Sequence, residues 1–227
     1  MKLKYLSHST FEVTGRNFKA LIDPFISENP NSPVKVSDYL DITHIFITHG
    51  HGDHFGDAIE IAKECNSTVI CNFELAHYII SKDQTINVHP MHIGGRTNFD
   101  FGRVKMTSAL HGSGILHNDI FICGGNPCGF IIEADGKKIY HAGDTGLTLD
   151  MKLLESEKID IALLPIGGNF TMDIEDAIRA VDFIKPKTVI PMHYKTFEVI
   201  DADPEEFREK TEKINVKVMD YGEVIEV

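Results

Sequence analysis

With 227 residues, 42% of them apolar, the chain is long enough to bury a substantial core, and its 25% charged fraction is ordinary for a folded protein rather than a disordered one. Acidic residues number 34 against 22 basic ones, a formal net charge of −12, which argues against sequence-independent nucleic-acid binding, since that relies on clustered Lys and Arg. A small anionic substrate stays admissible, because bound cations reverse the local sign.

The start, MKLKYLSHSTFEV, alternates as a strand does and lacks the apolar stretch of a signal peptide. No run approaches the ~18 apolar residues of a membrane span. A cytoplasmic protein without membrane contact is therefore expected. Cys65, Cys71, Cys123 and Cys128 contain no C-x-x-C pair, which predicts reduced thiols rather than a zinc knuckle or a redox dithiol.

Short β-prone runs at 2–5, 10–14 and 19–22, punctuated by Gly15 and Asn17, predict strands, and the Pro-containing stretch 27–37 predicts a loop. THIFIT (43–48) reads as a buried strand feeding FITHGHGDHFGD. Ala58, Ile59, Ile61 and Ala62 then space as a helix over 57–65. STVIC is the next strand, FELAHYIISK a second helix, and 87–109 a series of glycine-punctuated strands. The second half echoes this order. KKIYHAGDTG parallels FKALIDPF, each a strand ending in an aspartate, and KIDIALLPIGG parallels DITHIFITHG. DIEDAIRAVDFIK predicts a helix, KTVIPMHY a strand and DPEEFREKTEKI (203–214) a last helix. The echo points to one domain over 1–227, an α/β protein with two β-rich halves and outer helices in a four-layer αββα sandwich. The rival is a doubly wound parallel sheet, against which the hairpin-like start counts.

The chemistry concentrates in HGHGDH, with His49, His51, Asp53 and His54 inside six residues. Gly50 and Gly52 free the backbone, so a tight loop can turn alternate side chains toward one spot. His49 and His51 suit one cation, Asp53 and His54 a neighbouring one, with Asp53 just ahead of the predicted helix, where a carboxylate is favoured. Completion must come from elsewhere, and His111, Asp144 and His193 each follow a predicted strand. A lone histidine in such a place is more often a hydrogen-bonding or surface residue; four ligand-type groups crowded together are what make a metal centre the better reading. His8 in SHS and His141 are expected behind the ligands or against substrate, with core hydrogen bonding as the plain alternative. The Gly-rich segment 112–129, with His117 and Asn118, reads as a substrate mouth or an ordinary turn-rich connection. GGNFTM (167–172), including Asn169, precedes a helix and reads as an anion-facing turn or a simple strand-to-helix turn.

THGHGDH resembles the H-x-H-x-D-H signature of the metallo-β-lactamase superfamily, and a later histidine, a G-D-T aspartate and a final histidine follow in the order expected of it. YHAGDTG, PIGGNFTM, PMHY and the opening LSHSTFEV resemble a branch of metal-dependent hydrolases related to ascorbate-6-phosphate lactonases, over almost the whole chain. The resemblance implies His49, His51 and His111 as ligands of one metal, Asp53, His54 and His193 as ligands of a second, and Asp144 bridging both. It implies two divalent ions, with Zn²⁺ first and Mn²⁺, Ni²⁺ or Fe²⁺ as alternatives. Such a pair would acidify a bridging water toward ~7 for attack on a small ester, lactone or phosphoester, with Asp53 orienting the nucleophile or taking a proton.

Departures narrow the choice. Secreted lactamases commonly carry cysteine where Asp144 stands, and iron-holding redox relatives carry glutamate where His51 stands, together with a flavin domain. The transfer-RNA-processing branch adds a basic RNA-gripping arm, which has no counterpart here. A small-molecule hydrolase is the expectation. A nucleic-acid phosphodiesterase or ribonuclease, and a non-catalytic metal-binding sensor or interaction protein, are the alternatives.

Overall fold

Alternating and all-apolar runs build two seven-stranded sheets and a small hairpin in the computed structural model, which describes residues 1–212 and 214–227. The first sheet holds β1 (Lys2–Ser7), β2 (Thr10–Gly15), β3 (Phe18–Ile22), β4 (His44–Phe46), β5 (Thr68–Asn72) and β6 (Asn87–Met91). The second begins with β7 (Arg96–Phe99) and β8 (Gly102–Ser108). After the separate hairpin of β9 (Gly114–His117) and β10 (Ile120–Cys123), it continues with β11 (Cys128–Ala134), β12 (Lys137–His141), β13 (Ile161–Pro165), β14 (Thr188–Met192) and β15 (Asn215–Val216). β16 (Val224–Glu226) returns to the first sheet and pairs antiparallel with β1.

The internal echo is visible in the pairing. β1, β2 and β3 run antiparallel, then β3 to β6 parallel; β7, β8, β11 and β12 run antiparallel, then β12 to β15 parallel. The fold is thus the four-layer αββα sandwich rather than a single doubly wound sheet. Parallel pairing requires crossovers, and helices supply them on the outer faces. α2 (Ala58–Cys65) and α3 (Phe73–Lys82) cover the first sheet, burying Ile61, Ala62, Leu75 and Ile79 against Ile45, Val69 and Cys71. α4 (Ile174–Ile184) and α5 (Pro204–Lys210) cover the second with Ala177, Val181, Ile184 and Phe207. Asn72 and Asp173 begin α3 and α4 by accepting the backbone N–H of Leu75 and Asp176, as N-caps do.

Two expectations are corrected. HGHGDH is not all loop: Gly52–Phe55 forms a single helical turn, α1, so Asp53, which does precede α2, itself lies inside a helical turn. The last helix stops at Lys210. Its final turn tightens as the Thr211 N–H bonds the Arg208 carbonyl and the Thr211 hydroxyl takes the Phe207 carbonyl, a side-chain competition that unwinds helix ends. Position 213, within that predicted helix, lies outside the described residues. Among the described residues, no helix is long and apolar enough to cross a membrane.

Between the sheets lies the main core. Phe46 of β4 meets Phe130 of β11 edge-on, with ring centroids 5.3 Å apart and both side chains fully buried, so this pair ties one sheet to the other. Aromatic contacts of this kind add about 0.5–1.5 kcal/mol to the area buried. Truncating Phe130→Ala should cost about 3–5 kcal/mol, read as a lowered denaturant midpoint. A loss below about 1 kcal/mol would show that the inter-sheet layer does not depend on it.

Candidate metal centre

The strand ends that the sequence marks with polar residues all open onto one edge of the sandwich. Asp23 follows β3, His49 follows β4, Asp144 follows β12 and His193 follows β14, each just past the carboxyl end of a parallel strand. His111 follows β8, and His8 forms the tight turn between β1 and β2. Ligand groups gather at such edges because the loops there diverge from a rigid sheet.

Besides Asp23 with His49 and His54, two groups of donor atoms lie within 4.8 Å of one another: His49, His51 and His111 in one, and His8, Asp53, His54 and His193 in the other. Asp144 lies against both. Its Oδ2 is 2.9 Å from His193 Nε2 and 3.5 Å from His111 Nε2, while its Oδ1 is 3.3 Å from His54 Nε2.

The surrounding hydrogen bonds orient the rings. Asp23 accepts the Thr48 N–H (2.8 Å), the Thr48 hydroxyl (2.7 Å) and His54 Nδ1–H (2.8 Å). The Thr48 hydroxyl, its proton given to Asp23, accepts from His49 Nδ1 at 2.9 Å. Both imidazoles therefore carry their proton on Nδ1 and turn the Nε2 lone pair toward the cluster, the arrangement that fixes histidine ligands. Inside, partners run out. His54 Nε2, Asp144 Oδ1 and both ring nitrogens of His193 are buried without a hydrogen bond, despite the 2.9 Å approach of His193 to Asp144. Each such orphan costs roughly 1–3 kcal/mol. Imidazole nitrogens and a carboxylate converging with too few hydrogen bonds to satisfy them are the donor set of a divalent transition metal, so these residues fit the group.

Electrostatics agree with that fit. Burial pulls His49 well below the ordinary imidazole value and lowers His51 and His111 as well, which keeps this trio neutral. Burial also pushes His8 down to about 4. For His54 burial acts downward too, but the flanking Asp144 and Asp23 carboxylates outweigh it and hold the ring well above its usual value. Burial would raise Asp144, yet His54 and His193 hold it well below the carboxylate range; Asp53 is likewise held down against burial, chiefly by the His8 imidazole 3.3 Å away.

The backbone is strained here. Ser7 (φ 112°), His8 (φ 53°), Asp23 (φ 46°) and His193 (φ 56°) all adopt left-handed conformations without being glycine. Such residues cost about 1–3 kcal/mol each and persist only where their surroundings dictate them. The His8 carbonyl accepts from both the His193 N–H (2.8 Å) and the Tyr5 hydroxyl (3.0 Å), and Thr10 Oγ1 donates to the Asp23 carbonyl (2.6 Å). Before Asp144 the need is met by Gly143 (φ 64°), where a Cβ would stand 2.5 Å from the Cys128 carbonyl oxygen.

All seven predicted ligand residues are thus brought together, and His8 joins them. His141 is not: its Nε2 faces the Ser9 carbonyl (2.9 Å) and its Nδ1 accepts the Gly143 N–H (3.1 Å), so it braces the β1–β2 turn against the Asp144 loop. Asn169 is exposed in the turn ahead of α4 and lies in neither donor group. The 112–129 segment supplies the β9–β10 hairpin, whose Leu116 and Phe121 are exposed, and its Gly112 abuts the His51 ring. Sequence reasoning noticed Asp23 only as the aspartate ending a strand, and passed over Thr48 and Thr196. The IDP that parallels AGD was the available signal for Asp23; the two threonines carry none.

Comparison with known proteins places these residues in context. A family described as the beta-lactamase superfamily domain matches residues 19–194. A UPF0173 metal-dependent hydrolase of Alkaliphilus metalliredigens is 59% identical over 224 residues, spanning 99% of both chains. Among solved structures, a metallo hydrolase from the archaeon Ignicoccus hospitalis superposes with a TM-score of 0.88 at 38% identity, covering 99% of this chain and 97% of that one. An isothiocyanate hydrolase from Delia radicum gut bacteria shares the fold at 23% identity, with a TM-score of 0.81 and coverage of 100% and 99%.

Asp23→Asn should leave the fold intact but release the tautomer of His54. Metal affinity, measured by titration calorimetry on chelator-stripped protein, should fall about 10–100-fold. Unchanged affinity would show that Asp23 orients nothing.

Proposed function

Because the chain belongs to the β-lactamase superfamily and, within it, to the metal-dependent hydrolases, we propose that it cleaves a small ester, lactone or phosphoester with a pair of divalent cations. The observation that carries this reading is the pair of donor groups sharing Asp144. His49, His51 and His111 would hold one cation, Asp53, His54 and His193 the other, with Asp144 between them. The His-rich set favours Zn²⁺, with Mn²⁺, Ni²⁺ and Fe²⁺ as alternatives. Bound cations supply Lewis acidity and a water acidified toward ~7.

The remaining contributions come from side chains. His49, His54 and His193 are at most 2% exposed, whereas Asp53 is 30% and His111 12% exposed, so the centre is open to solvent on the side of Asp53, His51 and His111. Asp53 faces that opening as a carboxylate. Its proton affinity is held low, which suits it better to orienting the attacking water than to keeping the proton. Phe197, 38% exposed, stands beside His8 (5.5 Å) and Phe25 (6.5 Å) and makes part of the surroundings apolar, which suits a compact organic substrate. A small molecule in the cytoplasm, anionic ones included, is the partner this reading favours over nucleic acid or membrane, consistent with the net charge of −12.

Metal-loaded protein should hydrolyse a member of a panel containing bis-p-nitrophenyl phosphate, a simple lactone and varied esters, and should lose that activity on chelation. No turnover across the panel would remove the hydrolase reading in favour of a metal-holding protein. Asp53→Ala should lower any rate found by about 10²–10⁴-fold; a wild-type rate would sink the role given to Asp53. The pH dependence has a definite sign. Since burial lowers the pKa of His49, His51 and His111, protons compete with metal there only below the ordinary imidazole value of about 6.5. At least one equivalent of Zn²⁺ should stay bound as pH falls through that value, and complete release above it would contradict the assignment.

A further inference from the structure

We propose that His8 is itself a metal ligand, so that the second site is built from His8, Asp53, His54 and His193, with Asp144 shared. The proposal rests on the two-cation reading above and extends it to a residue from the opposite end of the chain. It gives that site one protein ligand more than the three-histidine site.

Three independent features of His8 point the same way. First, it is fully buried, and its Nε2 lies 3.3 Å from Asp53 Oδ2, within the same donor group as His54 and His193. Its ring centroid is 4.2 Å from that of His193 and 5.3 Å from that of His54. Second, its other nitrogen has a partner: Nδ1 is 2.9 Å from Thr196 Oγ1, and that hydroxyl can in turn donate to the Tyr194 carbonyl at 3.4 Å. With the hydroxyl proton on Tyr194, Thr196 accepts from Nδ1–H. The lone pair of His8 is then on Nε2, facing the Asp53 carboxylate. Third, the backbone beneath the ring is fixed. Ser7, at the end of β1, and His8, the first residue of the His8–Ser9 turn, both adopt left-handed conformations that glycine or asparagine takes more readily. The turn is strapped from several sides: Asn29 donates to Ser7 Oγ (2.8 Å), and the His8 carbonyl accepts from Tyr5 and from the His193 backbone. The His193 N–H bond couples His8 directly to another member of the same donor group.

The alternative is a plain hydrogen bond from Nε2–H to Asp53, with Nδ1 accepting from Thr196. In that case His8 would position Asp53 without touching metal.

The test uses full-length protein stripped of metal and titrated with Zn²⁺, together with the anomalous diffraction of zinc-loaded crystals. His8→Asn is the variant of choice, because asparagine tolerates a left-handed backbone and its short side chain cannot reach the site. Wild type should take up two equivalents, with His8 Nε2 at about 2.0–2.1 Å from the second ion. His8→Asn should keep the first equivalent and bind the second at least tenfold more weakly. Thr196→Val, which leaves the imidazole in place, should weaken the second equivalent and spare the first. Two equivalents with unchanged affinity in His8→Asn, or an Nε2–metal distance beyond about 3 Å, would overturn the role of His8 and leave the two-cation reading intact. A single equivalent in wild type, seated among His49, His51 and His111, would overturn both. Thermal unfolding of the metal-free variants separates loss of a ligand from loss of fold: a metal-free His8→Asn that melts as wild type does, yet binds its second ion weakly, supports the proposal.

Discussion

Asp144 is the point on which the rest of the molecule depends. A carboxylate 3% exposed is surrounded by imidazole nitrogens of three histidines, from α1, from the loop after β8 and from the loop after β14. In a low-dielectric interior, an arrangement of unpaired lone pairs holds together only if positive charge sits among them, as a proton or as a metal ion. The raised proton affinity of His54 between the Asp144 and Asp23 carboxylates expresses that demand for positive charge. A divalent cation would provide more of it, and would satisfy the nitrogens of His193 that a single proton leaves unpartnered.

The fold serves this constraint by bringing two similar halves face to face. Each half makes antiparallel hairpins and then parallel strands, and the parallel strands direct their carboxyl ends to the shared edge. The first half delivers Asp23 and the His49–His54 segment, and the second delivers His111, Asp144 and His193. Burial of Phe46 against Phe130 and of Phe18 against Phe101 fixes the two sheets relative to each other, which is what sets the distance between those two deliveries. The positive φ values at Ser7, His8, Asp23 and His193 are the local cost of the arrangement, whereas those at Asn66, Asp135 and Lys185 belong to ordinary turns and helix ends away from the site.

Much of this was legible beforehand for identifiable reasons. Strands such as IALLP, all buried in β13, and helices such as IEDAIRAVDFI announce themselves by unbroken or periodic apolar spacing. HGHGDH is legible because its side chains are crowded, and crowding of that kind is recognisable without coordinates. Less legible was the helical turn at Gly52–Phe55, where Gly52, the Gly56 just beyond it and His54 argue for loop and tertiary placement overrides propensity. The early end of α5 depends on one threonine hydroxyl finding a carbonyl behind it.

The sequence by itself determined the order of elements, the two-sheet architecture and seven residues that come together at one edge, because these follow from local spacing and from a recognisable signature. Tertiary structure alone decided which of the remaining polar residues join them. His8 and His141 look alike in sequence, each a histidine beside a strand, yet one enters the donor group while the other braces a turn through the Ser9 carbonyl. Asp23, Thr48 and Thr196 gain their roles from atoms 25, 1 and 188 residues away in the chain. Hydrogen bonds select partners by distance and angle in space, and neither quantity is written in the spacing of residues along a chain.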